Sequence, residues 1–518
     1  MLFRSLVALS FIPLSGVSPL WAGWREDSGF VKLQAELGAA MPTGSGIALL
    51  QGEAGTVGTT PLEYLPQAGG PDPFAGVSNY AGKTFTPHSG EGIVLNHANS
   101  VASNFYGNGW GAAPGATEIH CFDANDFIDR LGSFLTAPEV FPGRVQNHSW
   151  VGSTGSSSSD AQMLRRFDFM LNRDARLAAV GLYNSPTIMQ PLLGCSYHAL
   201  VVGVMSGAHS QTGTTVDGTG RMKPDLVVNE SLTSYATPVV AGSAAVLLQA
   251  AIASGDPDAE RPEVIRAQLI AGASKQRLPA WQRAADAKPY DAVFGAGEVN
   301  IHNSWHLQAA GKQTYSTTVD RQPSGWDLAA TTSNSSGRRY FFTIPEGRYA
   351  DTFSVALCWN RQISTGGLSY SSSLSDLNLK LYASTGLTPE AVPLAQSIST
   401  VDNVEHLFLR NLPPGQYLLQ VTASVNNRDY ALAWQSLLGA GPVLTLRREA
   451  SGQVFLDAAA LDPFVSYQIL ISPDLTAPWT VKETFRTADT APSLTHAWED
   501  VSPAPDRSFY RLSWEAIR

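Results

Sequence analysis

Apolar and polar positions follow two patterns along this chain of 518 residues, and the first covers residues 43–310. Short apolar runs are typical of buried strands, and apolar residues three or four positions apart are typical of helices. The segment 159–171 has such a face, and Ser159 or Asp160 can cap its start. Small apolar residues at 234–254 predict a buried helix. The predicted strands are residues 46–50, 117–122, 177–182 and 199–205. Strands that alternate with helices predict an α/β fold, with a parallel sheet and helices on both faces.

The second pattern begins after Gly311, where short alternating segments replace the helices. Residues 312–436 predict a β-sandwich, and a Gly-rich linker at 437–442 leads to a small all-β unit at 443–518. The predicted strands of the sandwich are residues 340–344, 353–358, 377–382, 406–409 and 417–422. Those of the last unit are residues 443–446, 454–456, 467–471 and 509–514. The chain is therefore predicted to have an α/β domain at 23–311 followed by two all-β domains.

Residues 1–22 have the pattern of a signal peptide. Arg4 precedes a short apolar run, and small Ala22 provides a cleavage site. A membrane anchor is the alternative, but the run is short and Pro13 and Pro19 interrupt it. No other stretch is expected to reach the ~20 apolar residues of a membrane span. The mature protein is expected to be secreted, either extracellular or periplasmic.

Charge and cysteine content exclude several classes of protein. The net charge is −10 and only 15% of residues are charged, against a usual share of about 25%. This balance excludes a nucleic-acid binder that works through a basic face. Three cysteines exclude a disulfide-dense scaffold, and the sequence leaves open whether Cys121 and Cys195 pair.

The strongest candidate for chemistry is Ser234, which opens the predicted helix at 234–254. The first N–H groups of a helix have no partner inside the helix and favour negative charge. A serine there can act as a nucleophile whose own N–H stabilises an oxyanion. The alternative is that Ser234 only caps the helix.

Several segments around Ser234 resemble, in the same order, the motifs of the subtilisin-like serine peptidases. The nucleophile motif of that family is similar to TSYATPVVAG, residues 233–242. The other matching segments are HANSVAS at 97–103, GAAPGA at 111–116, VQNHSWVG at 145–152, GRMKPDLV at 220–227 and GAGEVN at 295–300. The resemblance spans roughly residues 43–305.

The resemblance implies a secreted serine endopeptidase that cleaves polypeptides through an acyl-enzyme. Ser234 would be the nucleophile, His97 the general base, and Asn184 the side-chain donor of the oxyanion hole. The cleft would be lined by Ser149, Trp150, Val151 and Gly152.

The triad acid departs from the family pattern. The family has Asp at the end of its first strand, whereas this chain has IALLQGEAG at 47–55. A gap-free alignment places Gln51 at that position, and a shift of two residues places Glu53 there. Glu53 is the favoured acid. The remaining alternative is an inactive subtilisin-like protein that serves in binding or adhesion.

The sequence assigns no metal site and no cofactor, and it leaves a calcium site open. His88, His120, His148, His198 and His209 show no metal-ligand spacing. Calcium is common in the family, but no compact Asp/Asn loop assigns a site. Residues 312–436 resemble the pre-peptidase C-terminal type of β-sandwich. For residues 443–518, binding to a surface or polymer is one hypothesis, and a spacer role is the alternative. The sequence does not give substrate preference or oligomeric state.

Overall fold

The computed structural model describes residues 23–56, 58–67, 79–132, 136–318, 320–439, 442–448, 453–461, 467–473, 478–485, 494–500 and 508–514. The predicted signal peptide, residues 1–22, lies outside these residues. The helices are α1 (Trp24–Asp27), α2 (Phe30–Leu37), α3 (Asn96–Tyr106), α4 (Ala124–Arg130), α5 (Ser157–Arg173), α6 (Thr233–Ser254), α7 (Pro262–Gly272) and α8 (Ile301–Ala310). The strands of this α/β part are β1 (Leu49–Glu53), β2 (Leu62–Leu65), β3 (Thr84–Pro87), β4 (Gly92–Val94), β5 (Glu118–Asp123), β6 (Val145–His148), β7 (Leu177–Gly181), β8 (Leu200–Val204) and β9 (Leu226–Val228).

A parallel sheet of seven strands forms the centre of the α/β unit, in the order β3-β5-β1-β6-β7-β8-β9. Side chains alternate between the two faces of a strand. Leu49 of β1 therefore joins the core that contains Phe105 of α3 and Val239 of α6, whereas Leu50 joins the opposite core with Phe167 of α5. Helices cover both faces, which confirms the predicted α/β class.

The first strand begins later than predicted. Ile47 closes a turn through its N–H to the carbonyl of Gly44, at 3.1 Å. Strand β1 then runs from Leu49 to Glu53 instead of over residues 46–50. As a result, Gln51 and Glu53 lie within the strand and share one face of it.

The start of α5 also differs from the prediction. The helix begins at Ser157, and Ser156 holds the capping position. Asp160 lies inside the helix, where its carboxylate accepts from the N–H of Thr154 at 2.7 Å and the hydroxyl of Ser153 at 2.8 Å. The preceding loop therefore uses this carboxylate, and neither Ser159 nor Asp160 caps the helix.

Helix α6 is the central helix of the unit. Gly242 allows its close approach to the segment 111–116, because a Cβ there would meet the Ala112 Cβ at 2.5 Å. In length and hydropathy α6 could cross a membrane, contrary to the expectation that no further stretch reaches that size. However, 78% of its apolar stretch is buried inside the protein, as in the core helix of a soluble fold.

The region after Gly311 consists of strands. Residues 320–439 contain β10 (Asp320–Arg321), β11 (Gly325–Ala330), β12 (Arg338–Ile344), β13 (Tyr349–Trp359), β14 (Gln362–Gly366), β15 (Ser369–Ser373), β16 (Leu377–Thr385), β17 (Thr388–Pro389), β18 (Ala395–Ser397), β19 (Val404–Leu412), β20 (Gly415–Ala423) and β21 (Asp429–Gly439). The last part contains β22 (Val443–Arg448), β23 (Val454–Leu461), β24 (Tyr467–Ser472), β25 (Thr480–Phe485), β26 (Leu494–Asp500) and β27 (Phe509–Trp514).

Two sheets in 320–439 share one apolar core. The sheet β10-β12-β20-β16-β17, with β18 beside β16, contributes Phe342 and Leu379, and the sheet β11-β21-β13-β19 contributes Val355 and Trp434. Strand β21 continues to Gly439. The predicted start of the linker, residue 437, was therefore wrong. The last part forms two three-stranded sheets, β22-β23-β26 and β25-β24-β27.

Contacts join the α/β unit to the strands that follow it. The alternate side chains Ala356 and Cys358 of β13 belong to the same core as α6 and α7. Arg361 is buried and pairs with Asp168 of α5 at 2.8 Å and with Asp217 at 2.5 Å. Cys358 is a free thiol, as are Cys121 and Cys195, so the two cysteines left open by the sequence are not paired.

Candidate active site

Glu53 and His97 form the centre of the site. Glu53 ends β1 and is fully buried, and His97 is the second residue of α3. Oε2 of Glu53 lies 2.7 Å from Nδ1 of His97. A carboxylate can only accept, so Nδ1 carries the proton and Nε2 is left as the acceptor that a general base needs.

Gln51 holds the carboxylate of Glu53 from behind. Its Nε2 donates to Oε1 of Glu53 at 2.7 Å and to the carbonyl of Ala98 at 2.9 Å, and its Oε1 accepts from the hydroxyl of Tyr106. Residues two apart in a strand point to the same face, which is why these two side chains meet. Of the two candidates for the triad acid, Glu53 contacts His97 and Gln51 contacts Glu53.

The surroundings favour the charged form of His97. Burial of the imidazole acts to lower its pKa, but the negative charge of Glu53 and the hydrogen bond to it outweigh burial, so the pKa of His97 is raised. Glu53 can therefore stabilise an imidazolium that forms during a reaction.

Ser234 lies in the first turn of α6, which packs against α3. The capping position belongs to Leu232, so the alternative that Ser234 is the cap was wrong. The ring of Tyr235 stacks on that of His97, with ring centroids 6.0 Å apart. In the part of the chain that the structure describes, no hydrogen bond joins the Ser234 hydroxyl to His97, and such bonds are often long without substrate.

Asn184 follows β7 and reaches the same end of α6. Its Oδ1 accepts from the backbone N–H of Thr233 at 2.9 Å and from the hydroxyl of Thr233 at 3.0 Å. These two donors fix the amide oxygen of Asn184. The backbone N–H of Ser234 has no partner among the described residues, as expected for the first turn of a helix.

The segment 149–152 lies next to Ser234 but is largely occupied by contacts of its own. Ser149 donates to the carbonyl of Ser234 at 2.9 Å, and the indole of buried Trp150 donates to His148 at 3.2 Å. The backbone N–H and C=O of Gly152 both bond to Leu192, at 3.1 and 3.0 Å. Of the four predicted cleft residues, Val151 is half-buried and its backbone makes no hydrogen bond to another described residue.

Asn104 and Glu230 also lie near the site, and neither was predicted from the sequence. The Asn104 side chain, in α3, donates to the carbonyl of Tyr235 at 3.0 Å and to the carboxylate of Glu230 at 3.1 Å. Burial raises the pKa of Glu230 to about 7. Asn104 and Tyr235 are 131 residues apart, and no local pattern indicates that they touch.

The histidines considered as metal ligands make other contacts. His148, His198 and His209 are buried, and His88 and His120 bond to each other at 2.9 Å. Across the described residues, one group of three His, Cys, Asp or Glu side chains is close enough to hold a metal ion, and it includes none of these five. That group, Glu36 with His302 and His306, lies outside the site described above.

Comparison with known proteins finds distant similarities to solved structures. No family model and no curated protein matches the chain. The patellamide maturation protease PatA is 18% identical, with 52% of this chain and 98% of that chain covered and a TM-score of 0.33. Proteases from Pseudoalteromonas arctica PAMC 21717 are 16% identical, with 53% of this chain and 94% of that chain covered and a TM-score of 0.33. The PatG macrocyclase in complex with peptide is 14% identical, with 54% of this chain and 95% of that chain covered and a TM-score of 0.34. Identities and TM-scores this low do not establish the family or the activity of this chain.

Proposed function

We propose that the chain is a serine endopeptidase in which Glu53 takes the place of the triad aspartate. The observation that carries the proposal is the 2.7 Å bond between Glu53 and His97, at the helix end where Ser234 lies. The ordered motifs around Ser234 support the same assignment. The predicted signal peptide supports export, and the shared core of residues 320–439 supports a pre-peptidase C-terminal type of module.

In the first half of the proposed reaction, Ser234 Oγ attacks the carbonyl carbon of the peptide and His97 Nε2 takes its proton. Glu53 stabilises the resulting imidazolium. The Ser234 N–H and the Asn184 amide donate to the oxyanion. His97 then gives its proton to the leaving amine as the C–N bond breaks, which leaves an acyl ester on Ser234.

Water completes the reaction. His97 takes a proton from the water that attacks the ester carbonyl, and the ester C–O bond breaks. The proton returns to Ser234 Oγ, and the carboxylic acid product leaves. The proposed hydrolysis needs no cofactor, and a metal has no part in it.

The test is cleavage of a denatured protein by the purified mature chain. We expect internal cuts that stop after treatment with a sulfonyl fluoride, because this reagent forms a sulfonate ester with an activated serine and releases fluoride. Mass spectrometry of the products distinguishes hydrolysis from transfer of the acyl group to an amine. A folded chain that leaves the substrate intact would favour the alternative of an inactive binding protein.

A substitution of Gln51 tests whether this residue positions Glu53 without itself contacting the substrate. Replacing it with methionine removes the donor that fixes Glu53 and keeps a side chain of similar length. We expect kcat to fall on the order of 10²-fold, the usual effect of a misplaced catalytic group. KM should stay unchanged, because Gln51 is fully buried and out of reach of substrate. Steady-state kinetics on a peptide substrate measures both constants.

The matched control for this variant is Tyr106→Phe. It removes the hydroxyl that bonds to Gln51 and leaves the bond from Gln51 to Glu53 in place. We expect a smaller fall in kcat than for Gln51→Met. An unchanged kcat in Gln51→Met would contradict the positioning role.

A further inference from the structure

We propose that Glu36, His302 and His306 form a zinc site that links α2 to α8, independent of the proposed peptidase function. His302 and His306 are four residues apart in α8, so their rings lie one above the other on one face. Their ring centroids are 4.5 Å apart. Glu36 comes from the last turn of α2 and is 266 residues from His302 in the chain.

The three donor groups already converge. Nε2 of His302 lies 2.8 Å from Oε2 of Glu36, and Nε2 of His306 lies 3.1 Å from Oε1 of Glu36. All the candidate ligand atoms lie within 4.8 Å of one another. Zinc binds nitrogen and oxygen at about 2.0–2.2 Å, so two ligands of a tetrahedral ion lie roughly 3.3–3.5 Å apart. The two distances from Glu36 to the histidines need to lengthen by only a few tenths of an ångström to reach this spacing.

The donor set selects the kind of metal. Two imidazoles and one carboxylate suit zinc and its neighbours in the first transition row, whereas calcium and magnesium prefer oxygen ligands alone. Glu36 is exposed and His306 is half-exposed. Solvent can therefore reach the site and supply a fourth ligand, giving three protein ligands and one water.

Contacts that do not involve the metal hold α2 against α8. The backbone N–H of Ile301 donates to the carbonyl of Ser28 at 2.8 Å. Gly29 has a φ of +72°, and a Cβ there would meet Asn300 Oδ1 at 2.8 Å and His302 Cβ at 2.9 Å. The site is therefore preorganised, and binding requires little rearrangement of the backbone.

A metal in this place would fasten the segment that contains α2 to the last helix of the α/β unit. An ion that binds the folded chain and not the unfolded chain raises the midpoint of thermal unfolding. At a free zinc concentration 100-fold above Kd, we expect the midpoint to rise by about 5 °C. A chelator such as EDTA should reverse the rise.

Calorimetric titration of the mature chain with zinc chloride tests the proposal. We expect one zinc ion per chain, and at least a tenfold weaker affinity in His306→Ala and in Glu36→Gln. Both side chains are partly or fully exposed, so these variants should fold, which circular dichroism checks. The control is His120→Ala, which breaks the contacts of His120 with Glu118 and His88, three side chains that do not bring three ligand atoms together. It should bind zinc as the wild type does.

Three results would overturn the proposal. The first is the absence of zinc binding to the folded wild-type chain. The second is an affinity that His306→Ala and Glu36→Gln leave unchanged. The third is an equal loss of affinity in His120→Ala.

Discussion

Replacing Ser234 with alanine is expected to lower kcat on the order of 10⁶-fold, the cost of removing the nucleophile of a serine triad. Ser234 Oγ is the atom that forms the acyl ester, so no other group of the proposed site can replace it. The alanine side chain fits, because Ser234 is 8% exposed and its hydroxyl makes no hydrogen bond to another described residue. We therefore expect the unfolding midpoint to stay close to that of the wild type.

The measurement is kcat/KM on the substrate that the wild type cleaves. Ser231→Ala is the matched control, because Ser231 is an exposed serine three residues earlier in the chain. It should retain wild-type activity. A wild-type kcat/KM in Ser234→Ala would show that Ser234 is not the nucleophile.

Replacing Glu53 with glutamine is expected to lower kcat about 10⁴-fold, the effect of changing a triad acid to its amide. The amide carries no charge to stabilise the imidazolium of His97. Its –NH₂ group can also face Nδ1, which would leave the ring in the wrong tautomer. Glu118→Gln is the matched control, because Glu118 also bonds to a histidine, His120, at 3.0 Å. Its activity should be unchanged.

The pH profile of the Glu53→Gln variant gives a second measure. In the wild type, kcat/KM should rise with pH as His97 loses its proton, with a midpoint above the usual histidine value of about 6.5. The glutamine removes the charge and the hydrogen bond that raise the pKa of His97, and burial, which lowers it, remains. The acidic limb should therefore move to lower pH in the variant. If the acidic limb lay at the same pH in the variant as in the wild type, Glu53 would not act on His97.

The sequence predicted the overall arrangement of the α/β unit better than the bounds of its elements. Alternating strands and helices predicted the parallel sheet, because buried parallel strands leave strong apolar runs. The start of β1 was predicted too early, because Ile47 looks like a strand residue and its turn bond to Gly44 is not visible in the pattern. The sequence favoured Glu53 as the triad acid and left Gln51 as the alternative. Their different roles depend on how far each side chain reaches toward α3.

Long-range contacts were the least predictable part of the site. The motif around Ser234 is local and could be identified from neighbouring residues. The contact of Asn104 with the carbonyl of Tyr235 depends on the packing of α3 against α6. The spacing of His302 and His306 is visible in the sequence, but Glu36 comes close to them only when α2 packs against α8.

The most direct test of the proposed triad is labelling of the purified chain by a fluorophosphonate probe, followed by peptide mapping. This reagent reacts with a serine hydroxyl only where a base activates it. We expect the wild type to be labelled at Ser234, Ser234→Ala to stay unlabelled, and Glu53→Gln to react much more slowly. A folded wild-type chain that takes up no label, or a Ser234→Ala variant labelled at the wild-type rate, would contradict the proposed triad.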